Sequence, residues 1–378
     1  MVVNAFLLFV PISLALGYLF EVPPIWVFAT AIVAIVPLAE WIRRGTEQMA
    51  HIAGSAIGGL LNVTFGNMAE LVLALFVLMA GHQQVVKAQI TGSIIGNGLL
   101  GLGVAILAGS IGRERQTFNR ERAGILSSLF ILAVVALLTP ALFNYTERGV
   151  SGSATANLLD ERLSLGVSVV LIVIYVANLV YTLVTHRDVY AAQDQGESRA
   201  AQASGSDNPS GHAEGHGHEQ HWSLGAALGV LIGGTALIAA EAELVSGALE
   251  DAASLLGLST FFLGVVVLAV IGNAAEYLSA VYFARQDDMS MVIGITVGSS
   301  IQIALFMAPV LVLVSFFLGH PMNLVFENPL ELIAVAGVAF AVNAIALDGE
   351  TNWLEGLMLL GVYAVLVLAF FFVTPPAS

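Results

Sequence analysis

The sequence predicts an all-α polytopic membrane protein with about eleven transmembrane helices. Of its 378 residues, 58% are hydrophobic and 10% are charged, whereas an ordinary soluble domain has roughly 25% charged residues. Many apolar runs reach the roughly 20 residues that a helix needs to cross a bilayer. A Gly-Asn-x-x-Glu motif also occurs once in each half of the chain. These observations together predict a membrane protein built from an internal repeat.

The predicted spans are separated by short polar loops, apart from one long polar segment. In chain order they are 4–20, 25–42, 48–81, 88–111, 123–143, 163–184, 222–240, 255–284, 290–318, 329–347 and 353–373. The first run has no basic start and no small-residue cleavage site, so we interpret it as a transmembrane helix rather than a signal peptide. The third and eighth runs are long and carry glycines that predict breaks.

The polar segment 186–221 is rich in Gly, Ser, Ala, Gln and Asp and predicts a flexible cytoplasmic linker. It divides the chain into an N-terminal helix (1–24), a first five-helix repeat (25–185), the linker, and a second five-helix repeat (222–378). Four linker histidines could bind a transition metal or sense pH, or could simply be solvated. They are His212, His216, His218 and His221.

Basic residues are unevenly divided between the two predicted sides of the membrane. Nine of the twelve lie on the side of the N-terminus: Arg43, Arg44, Arg113, Arg115, Arg120, Arg122, Arg187, Arg199 and Arg285. The other side holds Lys87, Arg148 and Arg162. Because cytoplasmic loops carry the excess of Lys and Arg, we expect a cytoplasmic N-terminus and an external C-terminus. We expect this integral protein in a prokaryotic cell membrane.

Composition disfavours several classes of function. A net charge of −15 argues against nucleic-acid binding, which needs basic surfaces. The chain has no cysteine, which removes disulfides and thiolate ligands. The spans also lack clustered His or Cys ligands beside a nucleophile, so we expect a transporter without a cofactor rather than an enzyme.

The two halves carry the same motifs at one constant offset. Residues 66–70 read Gly-Asn-Met-Ala-Glu and residues 272–276 read Gly-Asn-Ala-Ala-Glu, while Gly-Ser at 92–93 recurs at 298–299. Each half has five predicted helices after the extra first helix, and an odd number inverts the second copy in the membrane. This pattern predicts the inverted repeats of secondary transporters, whose substrate sites lie near the bilayer midplane.

Glu70 and Glu276 are the acidic residues of the two motifs. A carboxylate at membrane depth costs several kcal/mol unless it is paired, protonated or open to water, so it is a functional hypothesis by default. A hydrogen bond to a neighbouring helix would explain one such residue, but two at equivalent positions favour function. Asn67 and Asn273 lie three residues earlier, on the same face of a continuous helix.

Two facing motifs of this kind would form an oxygen-lined site with two negative charges. Such a site suits Ca²⁺, which takes about six to eight oxygen ligands, whereas softer metals prefer thiolates or imidazoles. Ser93, Ser299 and Gln302 could complete the shell or only link helices; Asn97 and Gln89 lie nearby. Because protons and cations would exclude each other from Glu70 and Glu276, the site is sufficient for antiport.

Glu40 and Glu243 lie near span ends, at similar positions of the two repeats. They could focus cations into the two mouths of the transporter. An ordinary solvated boundary charge is the alternative interpretation of each.

At these motifs the sequence resembles the Ca²⁺/cation–proton exchanger (CAX) family of the cation/Ca²⁺ exchanger superfamily. The resemblance is carried by Gly-Asn-Met-Ala-Glu-Leu at 66–71, Gly-Ser-Ile-Ile-Gly-Asn at 92–97, Gly-Asn-Ala-Ala-Glu at 272–276 and Gly-Ser-Ser-Ile-Gln-Ile-Ala-Leu-Phe at 298–306. Pro-Leu-Ala-Glu at 37–40 and Gln-Thr-Phe-Asn at 116–119 are also similar to family elements.

The resemblance implies eleven helices, an inverted repeat and proton-driven export of Ca²⁺ from the cytoplasm. It implies that Glu70 and Glu276 bind both the ion and protons. The residues that it implies as lining the site are Asn67, Asn273, Ser93, Ser299 and Gln302. The sister Na⁺/Ca²⁺ exchangers carry Gly-Thr-Ser-x-Pro-Glu instead, which favours protons as the counter-ion here. Family members often have His where this chain has Tyr277.

Three alternatives stay open at this level. One keeps the fold and changes the ions, to Na⁺/Ca²⁺ exchange or to exchange of K⁺ or Mn²⁺ for protons. Another is a cation channel with a carboxylate gate. The third is an intramembrane metalloenzyme, which would need the ligand clusters that the spans lack. The sequence indicates neither the stoichiometry nor the oligomeric state.

Overall fold

The computed structural model describes residues 2–53, 65–147, 153–182, 222–319, 321–326 and 328–373, and most of these are helical. In this part of the chain, eight helices are long and apolar enough to cross a membrane, and a further pair forms one candidate span bent by 51°. The linker 186–221 with its four histidines lies outside the described residues, as do residues 54–64 of the third predicted span.

The first half contains six labelled helices, preceded by the short helix Val2–Ala5 and the 3₁₀ turn Phe6–Leu8. They are α1 (Phe9–Tyr18), α2 (Pro24–Ala53), α3 (Met68–Met79), α4 (Gln83–Gly109), α5 (Arg120–Glu147) and α6 (Ser153–Val180). A π-helical turn interrupts α4 at Gly96–Gly101.

The second half also contains six labelled helices. They are α7 (Leu224–Leu256), α8 (Thr260–Gly272), α9 (Ala274–Arg285), α10 (Met289–Phe317), α11 (Pro329–Asp348) and α12 (Trp353–Phe371). π-Helical turns interrupt α8 at Leu263–Leu268 and α10 at Ile303–Met307. Such turns are common at functional sites because they displace the helix register.

Several helix boundaries differ from the sequence prediction. The span predicted at 25–42 continues as α2 to Ala53, into the span predicted at 48–81, and α6 begins at Ser153 instead of near residue 163. The span predicted at 222–240 continues as α7 to Leu256, because its acidic residues do not end the helix. Ala, Leu and Glu are strong helix formers, and the helix ends only at Gly257, whose φ of 65° favours glycine. In the span predicted at 255–284, the expected break falls at Asn273, between α8 and α9.

The centre of the fold is α4, whose apolar window is 83% buried within the protein. It crosses the π-helical part of α8 so closely that a Cβ at Gly92 would overlap the backbone carbonyl oxygen of Val265. A Cβ at Gly264 would likewise lie 2.7 Å from Val85 O. Glycine at both positions therefore allows the backbones of the two halves to touch, as small residues do between membrane helices.

The two halves also meet outside the helices. Strand β1 (Gln116–Thr117) follows α4, and strand β2 (Glu350–Thr351) follows α11. They pair antiparallel with Gln116 opposite Thr351, so the loop before α5 is tied to the loop before α12.

Lys87 is buried in α4, although the sequence pattern predicts it in a loop. It is 6% exposed, and its Nζ donates to Asn323 Oδ1 at 2.6 Å and to Val325 O at 2.9 Å. One turn later, Thr91 Oγ1 donates to Glu331 Oε1 at 3.0 Å. These contacts attach α11 and the segment before it to the first turns of α4.

We expect Lys87→Met to destabilise the protein by about 1–3 kcal/mol, because it leaves buried acceptors at Asn323 and Val325 without their donor. Thermal unfolding of the detergent-solubilised protein would measure the change. Arg115→Ala is the control, because it removes an exposed ion pair with Glu350 that contributes only about 0–1 kcal/mol. Equal shifts for the two variants would contradict the prediction.

Candidate functional site

The two Gly-Asn-x-x-Glu motifs have the same local backbone. Asn67 and Asn273 both have φ of −101°, with ψ of 22° and 10°, which lies in the sparsely populated bridge region. Each asparagine therefore stands just before a helix rather than within one. The helices that follow, α3 and α9, carry Glu70 and Glu276 in their first turns, where the helix dipole favours a carboxylate.

Glu70 lies at the meeting point of three elements. It is 1% exposed, and its Oε1 is in close hydrogen-bond contact with Ser93 Oγ of α4. Asn273 Nδ2, from the break between α8 and α9, donates to Glu70 Oε1 at 3.2 Å and to Ser93 Oγ at 3.0 Å. A Cβ at Gly272 would lie 3.3 Å from Glu70 Cγ, so the motifs of the two halves are in contact.

Asn97 orients the amide of Asn273. Its Nδ2 donates to Asn273 Oδ1 at 2.9 Å, and its side chain is fully buried. With its oxygen held in this way, Asn273 turns its NH₂ group toward Glu70. From the sequence Asn97 is only a nearby polar group, although its position one helical turn after Ser93 is the signal that points to this role.

Glu276 lies in a different environment, at a cavity of about 290 Å³. Asn67, Ser299 and Gln302 line the same cavity. The remaining lining residues are Arg43, Glu47, Gly66, Arg122, Ser279, Phe283, Met291, Gly294 and Ile295. The structure thus places the predicted residues in two groups, with Ser93 and Asn273 around the enclosed Glu70 and the others around Glu276.

Several buried oxygens near these motifs have no hydrogen-bond partner among the described residues. They are Glu70 Oε2, Glu276 Oε2, Gln89 Oε1 and Asn97 Oδ1. Buried polar atoms are normally paired, and a surplus of acceptors is what a proton or a hard cation can satisfy. The arrangement is chemically suited to either species.

Glu243 lies apart from this cluster, whereas Glu40 is joined through Arg43 to the cavity at Glu276. Both oxygens of Glu40 are engaged, because Arg43 donates to each of them at 2.9 Å and Arg44 Nε donates to Oε1 at 2.7 Å. Glu243 is exposed and accepts a hydrogen bond from Tyr18 at 3.0 Å. Neither residue lines the cavity at Glu276.

Tyr277 packs into a recess in α4 formed by glycines. Its ring and hydroxyl occupy the space that a Cβ would need at Gly96 or Gly101, the two ends of the π-helical turn. The hydroxyl is buried and has no hydrogen-bond partner among the described residues. The residue after Glu276 therefore faces the helix that carries Ser93 and Asn97.

Comparison with known proteins identifies close relatives. The model of the family described as "Sodium/calcium exchanger protein" matches residues 23–184 and 226–372. A protein of Aphanothece halophytica named Ca(2+)/H(+) antiporter is 43% identical over 367 residues, covering 97% of this chain and 95% of its own. Bacillus subtilis Ca(2+)/H(+) antiporter ChaA is 39% identical, covering 96% of each chain. The solved structure of native YfkE aligns with a TM-score of 0.78 and 33% identity, covering 97% of this chain and 100% of that chain.

Proposed function

Because the chain belongs to the sodium/calcium exchanger protein family, we propose that it is a secondary transporter that exports Ca²⁺ from the cytoplasm in exchange for protons. Relatives that are 43% and 39% identical over 97% and 96% of this chain are named Ca²⁺/H⁺ antiporters, which are transporters and not enzymes. The observation that carries the proposal is the enclosed Glu70 carboxylate of α3, held by Ser93 of α4 and by Asn273 from the break between α8 and α9.

The proposed architecture is one N-terminal helix followed by two inverted five-helix repeats, at 25–185 and 222–378, joined by the linker 186–221. Eight candidate spans, one bent pair and the two shorter apolar helices Phe6–Tyr18 and Met68–Met79 together number eleven. The matching backbone at Asn67 and Asn273 supports the repeat. The π-helical turns that follow Ser93 and Ser299 support it as well.

In this proposal Glu70 and Glu276 bind Ca²⁺ and protons in turn. Asn67, Asn273, Ser93, Ser299 and Gln302 supply further oxygens. A cation in the cavity meets Glu276 first, and Glu70 Oε2, which has no hydrogen-bond partner among the described residues, is the acceptor left free on the second carboxylate. Protons on both carboxylates neutralise the site and leave it no charge with which to hold Ca²⁺. Exchange follows because the two loaded forms exclude each other.

The cavity also suggests which side of the membrane is open in this conformation. It extends from Glu276 to Arg43, Glu47 and Arg122. Arg43 and Arg122 belong to the basic residues expected at the cytoplasmic side. We therefore assign this conformation to the inward-open state, with a cytoplasmic N-terminus and an external C-terminus.

Inside-out vesicles with an acidic interior test the function. We expect ⁴⁵Ca²⁺ uptake that saturates with Ca²⁺, requires the pH gradient and collapses when a protonophore is added. Uptake that follows a Na⁺ gradient and ignores the pH gradient would instead support Na⁺/Ca²⁺ exchange. Uptake that neither saturates nor needs a counter-gradient would support a channel.

The apparent KM for Ca²⁺ should rise as the pH on the cytoplasmic side falls. Protons occupy the carboxylates that Ca²⁺ needs, so affinity should weaken by about tenfold per pH unit for each proton displaced. Initial uptake rates across a Ca²⁺ series at several pH values would measure this. A fall in maximal rate at constant KM would contradict direct competition.

A further inference from the structure

Glu241 is a buried carboxyl group that the proposed transport site does not use. It lies near the middle of α7 and is 0% exposed. Helix α1 packs against this part of α7, where Gly17 lies against the side chain of Leu244. At the exposed edge of the same interface, Tyr18 OH donates to Glu243 Oε2 at 3.0 Å. Glu241 is therefore enclosed between the N-terminal helix and the body of the protein.

The contacts of Ser13 are compatible with a protonated Glu241. Ser13 Oγ is fully buried and lies 2.9 Å from Val10 O and 2.7 Å from Glu241 Oε1. A hydroxyl has a single hydrogen, and a backbone carbonyl can only accept. Both contacts are full hydrogen bonds when Ser13 donates to Val10 and a protonated Glu241 donates to Ser13. An ionised Glu241 would compete with Val10 for one hydrogen.

The surroundings of Glu241 are unfavourable to a negative charge. Its Oε2 has no hydrogen-bond partner among the described residues. Helices α2 and α7 run antiparallel, since Gly234 meets Ile42 and Gly45 meets Leu231. This register places Ile35, which is fully buried, at the level of Glu241. An ionised carboxylate at this place costs several kcal/mol.

Apart from Glu243 and Tyr18, which meet each other at the edge of the interface, the charged and titratable groups of the neighbouring elements lie away from this level. On α2 they are Glu40, Arg43, Arg44 and Glu47, of which the arginines are about two helical turns further along. On α3 the charged residue is Glu70, in the first turn, and on α1 the titratable residue is Tyr18. On α7 itself they are Glu243, Glu250 and Asp251. Among the described residues, no cation contact to Glu241 offsets its burial.

We propose that Glu241 is a proton-binding site, separate from the transport site, whose protonation holds α1 against α7. The neutral carboxyl fits the apolar interface and donates to Ser13. The ionised carboxylate needs water, which reaches it only when α1 moves away from α7. α1 is therefore docked at acidic pH and released at alkaline pH. This role does not depend on which ions the protein exchanges.

The absence of natural cysteines allows a clean cross-linking test. A Cβ at Gly17 would lie 3.2 Å from Leu244 Cγ, so cysteines at the two positions have their Cβ atoms within disulfide reach when α1 is docked. The double variant Gly17→Cys, Leu244→Cys is oxidised in the membrane at a series of pH values from acidic to alkaline, and disulfide formation is followed at each. The same pair with Glu241→Gln is the reference, because glutamine stays neutral, donates to Ser13 and reports the intrinsic pH dependence of thiol oxidation.

We expect equal disulfide yields at acidic pH in the two backgrounds. At alkaline pH, the chain that retains Glu241 should form the disulfide at an initial rate about tenfold below that of the Glu241→Gln reference. Burying the ionised carboxylate of Glu241 costs more than about 1.4 kcal/mol. A cost of this size lowers the docked population of α1 by at least about tenfold. Glu243→Gln, two residues away and exposed, is the matched variant and should behave like the parent. Identical pH profiles with and without Glu241→Gln would overturn the proposal.

Infrared difference spectroscopy tests the proton itself. In a background of Glu70→Gln and Glu276→Gln, which removes titration at the transport site, we expect a carbonyl band of a protonated carboxyl that disappears at alkaline pH. Adding Glu241→Gln should remove that band. A spectrum unchanged by Glu241→Gln would show that Glu241 binds no exchangeable proton and would overturn the proposal.

Discussion

Glu70→Gln and Glu276→Gln should each reduce proton-driven Ca²⁺ uptake by at least about a hundredfold. Glutamine keeps the size and the neutral form of the side chain but can neither ionise nor release a proton. In the loaded site each carboxylate pairs with Ca²⁺. Removing one partner of a buried charge pair costs about 3–5 kcal/mol, and each 1.4 kcal/mol corresponds to about a tenfold change in binding affinity. Initial ⁴⁵Ca²⁺ uptake into acid-loaded inside-out vesicles measures the loss.

Expression level and thermal unfolding of the same variants separate loss of transport from loss of fold. Glu250→Gln serves as the control, because the Glu250 side chain is 74% exposed and its charge lies outside the proposed site. Substantial uptake in either Glu70→Gln or Glu276→Gln would show that one carboxylate is sufficient, and the shared-site mechanism would then fail.

Gly92→Ala should disrupt the fold and transport together. The added Cβ would overlap the carbonyl oxygen of Val265 and would lie 2.7 Å from the Cβ of Ala269. Backbone cannot swing aside as a flexible side chain can, so α4 and α8 would have to separate. Overpacking of a core typically costs about 1–3 kcal/mol, and this site lies next to Ser93. We expect a lower unfolding temperature and uptake reduced by at least tenfold, a change of about 1.4 kcal/mol or more.

The repeat supplies the matched control. Gly298 is the counterpart of Gly92 in the second half, but a Cβ there would have no described atom within 4 Å. Gly298→Ala should therefore leave both unfolding temperature and uptake nearly unchanged. If the two alanine variants behave alike, the contact between α4 and α8 is not what requires glycine at position 92.

Much of the architecture was predictable because hydropathy and motif spacing are local properties. The glycine of the second motif, Gly272, indicated the break between α8 and α9. The structure places Ser93 and Asn273 on Glu70, and Ser299 and Gln302 at the cavity of Glu276. The metal-binding role of these residues stays a prediction until transport is measured.

The features that sequence reasoning missed depend on distant partners. The sequence pattern places Lys87 in a loop. In the structure its ammonium group donates to Asn323 and Val325, which lie more than 230 positions away in the sequence. The sequence pattern places Glu241 at the end of a span, whereas in the structure it is buried against Ser13 of α1. A hydropathy scale gives each polar side chain a transfer cost that depends only on its residue type. It contains no information about a hydrogen-bond partner on another helix.

The bridge from Asn273 to Glu70 and Ser93 has an evolutionary and an engineering consequence. Each half of the chain holds a carboxylate, but the first carboxylate is oriented by an amide from the second half, and that amide is in turn oriented by Asn97 of the first. A half-length ancestor would have needed a second copy to complete the pocket. A chain cut in its linker should likewise regain activity only when both fragments are produced together, and neither fragment should show partial transport alone.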